Sequence, residues 1–369
     1  MNTWTILIPI YNLEISENIG GEIRVENVTF VRKEKIPLIR KRLRFLYTVS
    51  EYNRLLRLKN KDKLFQKASV YAIIKHKREQ NTPLNYEYKR IKEAVYLLAS
   101  SQFGRIKRPN KYIFGLPNLE TSIDEVILIE DQNNNANLTR QLINPIEPYT
   151  LNKQWKTFLQ HHFFFDLIKV LNGRSIVSSK WRHCIRTAAL LAGRSQFANE
   201  IWEAFLFNII AMETLLSKRG SNIKENVTKN LVALFGWLTN ENEEYWKKLI
   251  NDLYELRSDF VHKGNTDKIT AKDLVLSDMI LINLLENICK LTKQIKTKYD
   301  LFQLSRKLEA RRVLNLKLIE RPKNISFSRS MIGRIYFDTA LVDSKSTFFF
   351  SISSSSFFIL IYFNPICLL

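Results

Sequence analysis

Arg257 and His262 are the two side chains of this sequence whose types and spacing best suit work on a phosphate. Arginine offers a planar, permanently charged fork of donors, and histidine titrates near neutral pH, so the pair can supply charge stabilisation and proton transfer. Both fall in LYELRSDFVHKG, residues 253–264. Counted from Trp246, the apolar rhythm runs 246, 250, 253, 257 and 260, which sets Arg257 on the inner side of a helix. Glu213 follows Trp202, Leu206 and Ile209 on the inner side of its own helix, and is the candidate partner for that guanidinium. On a continuous helix five residues turn through about 140°, so the two heads would diverge. Gly264 predicts a helix end, which would free His262 to turn toward Arg257, with Asp259 one turn earlier to orient it. A structural reading competes: an arginine whose stem packs while its head pairs with an acid, and a histidine that caps a helix.

Other chemistries find little material. There is no G-x-x-x-x-G-K-[ST] or G-x-G-x-x-G, and ten glycines in all leave little for a phosphate cradle. Cys184, Cys289 and Cys367 are far apart and form no C-x-x-C pair, which argues against a disulfide framework or a zinc site and suits a reducing cytoplasm. His161 and His162 are adjacent, so they point in different directions and read as surface or packing residues. No carboxylate cluster has the look of a metal site, and nothing calls for a cofactor. MNTWTILIPIYNLEIS lacks the basic start and small-residue cleavage site of a signal peptide, so a cytoplasmic location is expected.

The elements that must position Arg257 and His262 divide the chain. Residues 1–148 read as an α+β domain with a mixed or antiparallel sheet: strands in TWTILIPI, with Pro9 at an edge or bulge, in EIRVENVTF, in KYIFGLPN and in DEVILIED. Helical periodicity is expected from Arg44 to Phe103, and DQNNNANLTRQ reads as a loop. From Leu151 the pattern is helical almost throughout. WKTFLQHHFFFDLIKVL reads as one compact helix, and SSKWRHCIRTAALLAG as a second, capped by Ser178 or Ser179 and stopped at Gly193. SQFANEIWEAFLFNIIAMETLLSKRG, IKENVTKNLVALFGWL, ENEEYWKKLINDLYELRSDFVHKG and AKDLVLSDMILINLLENICKLTKQI follow, and their short connections predict an up-and-down bundle over 150–300. Residues 301–369 are left as a basic segment and an apolar Ser/Phe-rich tail. That tail has no charge after Lys345; it is long enough for a membrane anchor through 347–369, but its serines, Pro365 and lack of far-side anchoring residues argue against one, and low-complexity sequence would look the same.

The net charge of +21 favours polyanions, although an A/T-rich genome would also encode many lysines. Its distribution is uneven: Val31 to Lys111 holds 23 Lys/Arg against 6 Asp/Glu, a net of +17, while residues 1–30 and 112–150 are acidic on balance. Lys33, Lys35, Arg40, Lys41 and Arg42, with Lys263 beside the histidine, are therefore the candidate nucleic-acid contacts, against the alternative of a solvated surface.

Arg257-x4-His262, in the form L-R-S-x-x-V-H-x-G, resembles the R-x4-6-H signature of the HEPN superfamily of helical-bundle ribonucleases. AMETLLSKRG, then LVALFGWL, then LYELRSDFVHKG, looks like the Apea-like branch found in bacterial defence proteins. The resemblance covers roughly residues 178–295 and is looser over 1–148. It implies an all-α HEPN bundle that pairs as a homodimer and cleaves RNA without a metal. The 2′-hydroxyl would attack the adjacent phosphate and leave 2′,3′-cyclic phosphate ends, with His262 moving protons and Arg257 stabilising charge on phosphorus. Ser258 stands where many members carry Asn, Asp or His, and Ser258, Asp259 and Glu213 take supporting places. A phage-defence or toxin setting follows, with a phage or host trigger for the N-terminal domain. The alternative is a non-catalytic HEPN module that dimerises or binds RNA.

Overall fold

The computed structural model describes residues 2–36, 68–78, 84–103, 114–116, 125–132, 135–142, 148–218, 223–239 and 243–316. Near the N-terminus is a four-stranded antiparallel sheet, and most of the remainder is helical. β1 (Asn2–Ile10), β3 (Glu22–Val25), β4 (Val28–Arg32) and β5 (Val70–Arg78) lie in the order β1-β5-β4-β3, so Pro9 sits on an edge strand, where a missing donor is tolerated. β2 (Leu13–Ile15) pairs in parallel with β8 (Tyr149–Leu151), and β6 (Glu125–Gln132) pairs with β7 (Asn135–Leu142).

Two of these strands correct the sequence reading. β5 falls inside the stretch expected to be helical. It lies between β1 and β4 and is covered on both faces, so Val70, Tyr71, Ala72, Ile73 and Ile74 are all buried, and such a run shows no alternation. β7 occupies most of the stretch expected as a loop: its asparagines argued for a turn, but cross-strand pairing with β6 prevails over weak propensity. In KYIFGLPN, residues 114–116 contribute only an isolated bridge, Tyr11 to Gly115.

One face of the sheet is covered by α1 (Leu84–Ala99), whose Ile91, Val95 and Leu98 join Phe30, Ala72 and Ile74 in a core that continues into the bundle. The bundle elements are α2 (Lys153–Phe158), α3 (Phe164–Leu171), α4 (Ser179–Phe197), α5 (Ile201–Leu216), α6 (Ile223–Thr239), α7 (Glu243–Lys263), α8 (Ala271–Lys290) and α9 (Lys298–Val313). Ser178 caps α4, and Thr270 and Thr297 form capping boxes at α8 and α9. α9 runs across the expected boundary at residue 300, with Leu301 and Leu308 buried and its Glu309 paired with Lys229 of α6.

Gly193 does not stop α4; the helix runs on to Phe197. A Cβ at Gly193 would lie 1.8 Å from the Tyr96 carbonyl oxygen, so α1 and α4 cross backbone against backbone, and only glycine fits the crossing. The stretch expected as one helix before it is broken as well, into α2, a 3-10 turn and α3. The break is His162, extended at φ −120° and buried. Its Nδ1 accepts the Phe164 N–H at 3.1 Å, so Nε2 carries the proton and donates to the Phe103 carbonyl at 3.1 Å.

Burial pushes the His162 imidazole down to about 3; Phe103 opposes the shift and Lys290 adds to it. Between about 3 and the ordinary value near 6.5 the unfolded chain binds the extra proton, so stability rises with pH across that window and is lost on acidification. The slope from this residue is at most about 1.4 kcal/mol per pH unit. We expect urea midpoints measured from pH 7 to pH 5 to fall more steeply for the wild type than for His162→Gln. Parallel slopes would remove His162 from the account of acid sensitivity.

Candidate active site

α7 carries the motif because one of its faces is apolar. Trp246, Ile250, Leu253 and Tyr254 are buried, and Trp246 packs on Phe235 of α6 with ring centroids 4.9 Å apart. Three residues beyond Tyr254 the same face reaches Arg257, which is half-buried. Its Nε lies 3.4 Å from Glu213 Oε1 near the end of α5, the partner expected from the sequence. The contact is Coulombic: Glu213 Oε1 is buried with no hydrogen-bond donor among the described residues, and the Tyr254 hydroxyl is buried with no partner there either. Burial raises the Glu213 carboxyl above its usual range, and Arg257 pulls it back down. The Tyr254 phenol is pushed up by burial and then by Glu213, which keeps it protonated. Next along the helix, Phe260 stacks on Trp202 of α5 with centroids 5.2 Å apart, a second contact between α5 and α7.

His262 is placed differently from the sequence reading. α7 remains helical through Lys263 and turns only at Gly264, where φ is +67° and the N–H bonds back to the Phe260 carbonyl at 2.8 Å. His262 therefore keeps its helical direction, about 140° round from Arg257, and is exposed. No hydrogen bond holds its ring among the described residues. Nor does Asp259 orient it. Asp259 accepts Lys268 Nζ at 2.7 Å and Lys263 Nζ at 3.0 Å, and these two bonds hold its carboxyl down at about 2. Ser258 is exposed on the outer face, and Lys263 is engaged by Asp259.

The basic residues of the N-terminal half are only partly in view. Lys33 and Lys35 form a short turn after β4, and Lys35 donates to the Gly20 carbonyl; Arg40, Lys41 and Arg42 lie outside the described residues, as does the 346–369 tail. Among the described residues, no helix is long and apolar enough to cross a membrane, and no group of three His, Cys, Asp or Glu is placed to hold a metal ion. Tyr254 and the Trp202–Phe260 stack were missed in the sequence. The signal was available for Tyr254, which sits one turn before Arg257.

Comparison with known proteins gives no match to a family model, to a curated protein or to a solved structure.

Proposed function

We propose that the chain is a HEPN-type endoribonuclease that cuts RNA by attack of the 2′-hydroxyl on the adjacent phosphate, with no metal ion. The observation that carries this reading is the placement of two phosphate-competent side chains on one helix. Arg257 is held against α5 by Glu213 and retains about 30% exposure, while His262 is exposed five residues on. An anchored guanidinium can stabilise charge at phosphorus, and an unencumbered imidazole can accept or donate a proton. Glu213 acts only through Arg257, as its positioning residue.

Divergence of the two heads has a consequence. One chain offers half a site, and the missing half comes from a two-fold copy that brings a second motif beside the first. Large apolar side chains exposed on these helices, Val261 at 52% on α7 with Ile201 and Ile210 on α5, are suited to be covered by such a copy. We therefore expect a dimer by light scattering at micromolar concentration, and its weakening by Val261→Asp. A monomer that cleaves RNA at full rate would refute the composite site.

RNA would be held in part by the basic block. Neutralising Lys33, Lys35, Arg40, Lys41 and Arg42 together should weaken RNA binding and flatten its dependence on salt. An unchanged salt slope would make the block solvated surface. The second reading, a non-catalytic module that dimerises or binds RNA, is favoured by Ser258 directly after the arginine and by Asp259 being occupied with lysines. Binding without cleavage by the wild type decides for it.

A further inference from the structure

A cavity of about 460 Å³ opens between the β3–β4 turn, α1, the end of α3 and the start of α4, well apart in sequence from Arg257 and His262. Five arginines line it: Arg24, Arg90, Arg174, Arg182 and Arg186. Two of them are already neutralised. Arg186 grips both oxygens of Glu26 at 2.8 Å and one of Glu93 at 2.8 Å, which raises its own pKa chiefly through the Glu26 bonds. Arg90 lies 3.3 Å from the buried Glu87. The other three, Arg24, Arg174 and Arg182, have no carboxylate partner among the described residues. Arg24 spends one donor on the Glu26 carbonyl, and Arg182 Nη2 donates to the Val177 carbonyl at 3.3 Å. Arg182 Nε is buried with no acceptor among the described residues, a charged donor that has lost its water without replacement.

The surrounding backbone is specialised to hold this arrangement. Glu26 sits at φ +52° in the two-residue turn between Val25 and Val28, an uncommon conformation for a side-chain-bearing residue, and from there reaches Arg186 across the seam. Gly173 ends α3 at φ +71°, and a Cβ there would stand 3.9 Å from Arg182 Nη1. The rim therefore belongs to both halves of the molecule, and the unpaired charge sits where they meet.

We propose that this cavity binds a small anion carrying two or more phosphate groups, and that the ligand bridges the N-terminal sheet to the helical bundle. Arginine forks match phosphate oxygens in pairs, and the volume suits a small molecule. A nucleic-acid strand fits less well. It needs a continuous positive track, and the partly exposed Glu26 and Glu93 interrupt the basic surface around the cavity. The site is independent of the ribonuclease reading and would stand if that reading failed.

The test is calorimetric titration of the full-length protein with inorganic tripolyphosphate, ATP and a single-stranded RNA oligonucleotide at fixed ionic strength, with thermal melts alongside. Tripolyphosphate and ATP should both bind and raise the melting temperature, since a ligand that binds only the folded chain stabilises it. Equal affinity for the two assigns recognition to the phosphates alone, and tighter binding of ATP assigns the source to a nucleotide. Arg24→Gln/Arg174→Gln/Arg182→Gln should weaken binding on the order of a hundredfold, because charge-assisted hydrogen bonds are lost at three positions. Arg182→Lys, which keeps the charge and is the safer fold, should weaken it about tenfold through loss of the fork. A control that removes three positive charges elsewhere, Lys247→Gln/Lys248→Gln/Lys272→Gln, should bind as the wild type does. The proposal is overturned if neither small phosphate binds at millimolar concentration, if the control weakens binding as much as the arginine variants, or if RNA alone depends on these arginines.

Discussion

Arg257→Ala and His262→Ala are each expected to cut RNA cleavage by roughly a hundredfold or more, because acid–base and electrostatic contributions each operate on that scale. The two substitutions differ in what they do to the fold. His262 is exposed in the last turn of α7, so His262→Ala should melt as the wild type does. Arg257 is the neighbour that lowers the carboxyl of Glu213, whose Oε1 is buried without a donor among the described residues. Its removal leaves that carboxyl under burial alone, so Arg257→Ala should lose some stability and drive Glu213 further toward its protonated form. The cost stays below the about 3–5 kcal/mol of a fully buried broken pair, since Arg257 is about 30% exposed. Arg257→Lys separates the two effects: it keeps a charge beside Glu213 but loses the planar fork, so it should retain more stability than activity. Wild-type cleavage by a folded His262→Ala protein would remove the imidazole from the chemistry.

Gly193→Ala is expected to destabilise the protein by about 3 kcal/mol or more, at the top of the range for overpacking, because the clash is with backbone and cannot be relieved by a rotamer change. The added methyl would meet the Tyr96 carbonyl oxygen at 1.8 Å and force α1 away from α4. Gly264→Ala is the useful comparison. It is strained by its φ of +67° but has nothing within 4 Å of the new Cβ, so it should cost only about 1 kcal/mol. Urea melts of the two variants check the order. If Gly193→Ala were neutral, or stabilising as Gly→Ala is in an open helix, the backbone crossing of α1 and α4 would be wrong.

What could be read from the sequence follows from which signals are local. The long helices α4 to α8 were legible because each repeats apolar residues at helical spacing over many turns, and α7 was placed closely enough to pair Arg257 with Glu213. In the sequence Gly193 marks a helix end, as a glycine in a helical pattern often does; its actual role is a close approach to Tyr96, which lies 97 residues earlier and leaves no local trace. β5 is hidden in the sequence for a related reason. A central strand covered on both faces reads as a short apolar run, and only its pairing with β1 and β4 distinguishes it from a helix segment. At the candidate site, residue types and spacing were legible, and orientation was not. Gly264 ends the helix as expected, but the turn begins after Lys263, so His262 stays on the outer face and Asp259 is taken by Lys263 and Lys268.

The most direct measurement is the chemistry of the ends. Full-length protein is incubated with RNA in EDTA, beside the His262→Ala variant, and the fragments are analysed by mass spectrometry. The account predicts 2′,3′-cyclic phosphate and 5′-hydroxyl termini from the wild type and their loss from the variant. Fragments bearing 5′-phosphates, or cleavage that disappears in EDTA and returns with a divalent ion, would contradict it.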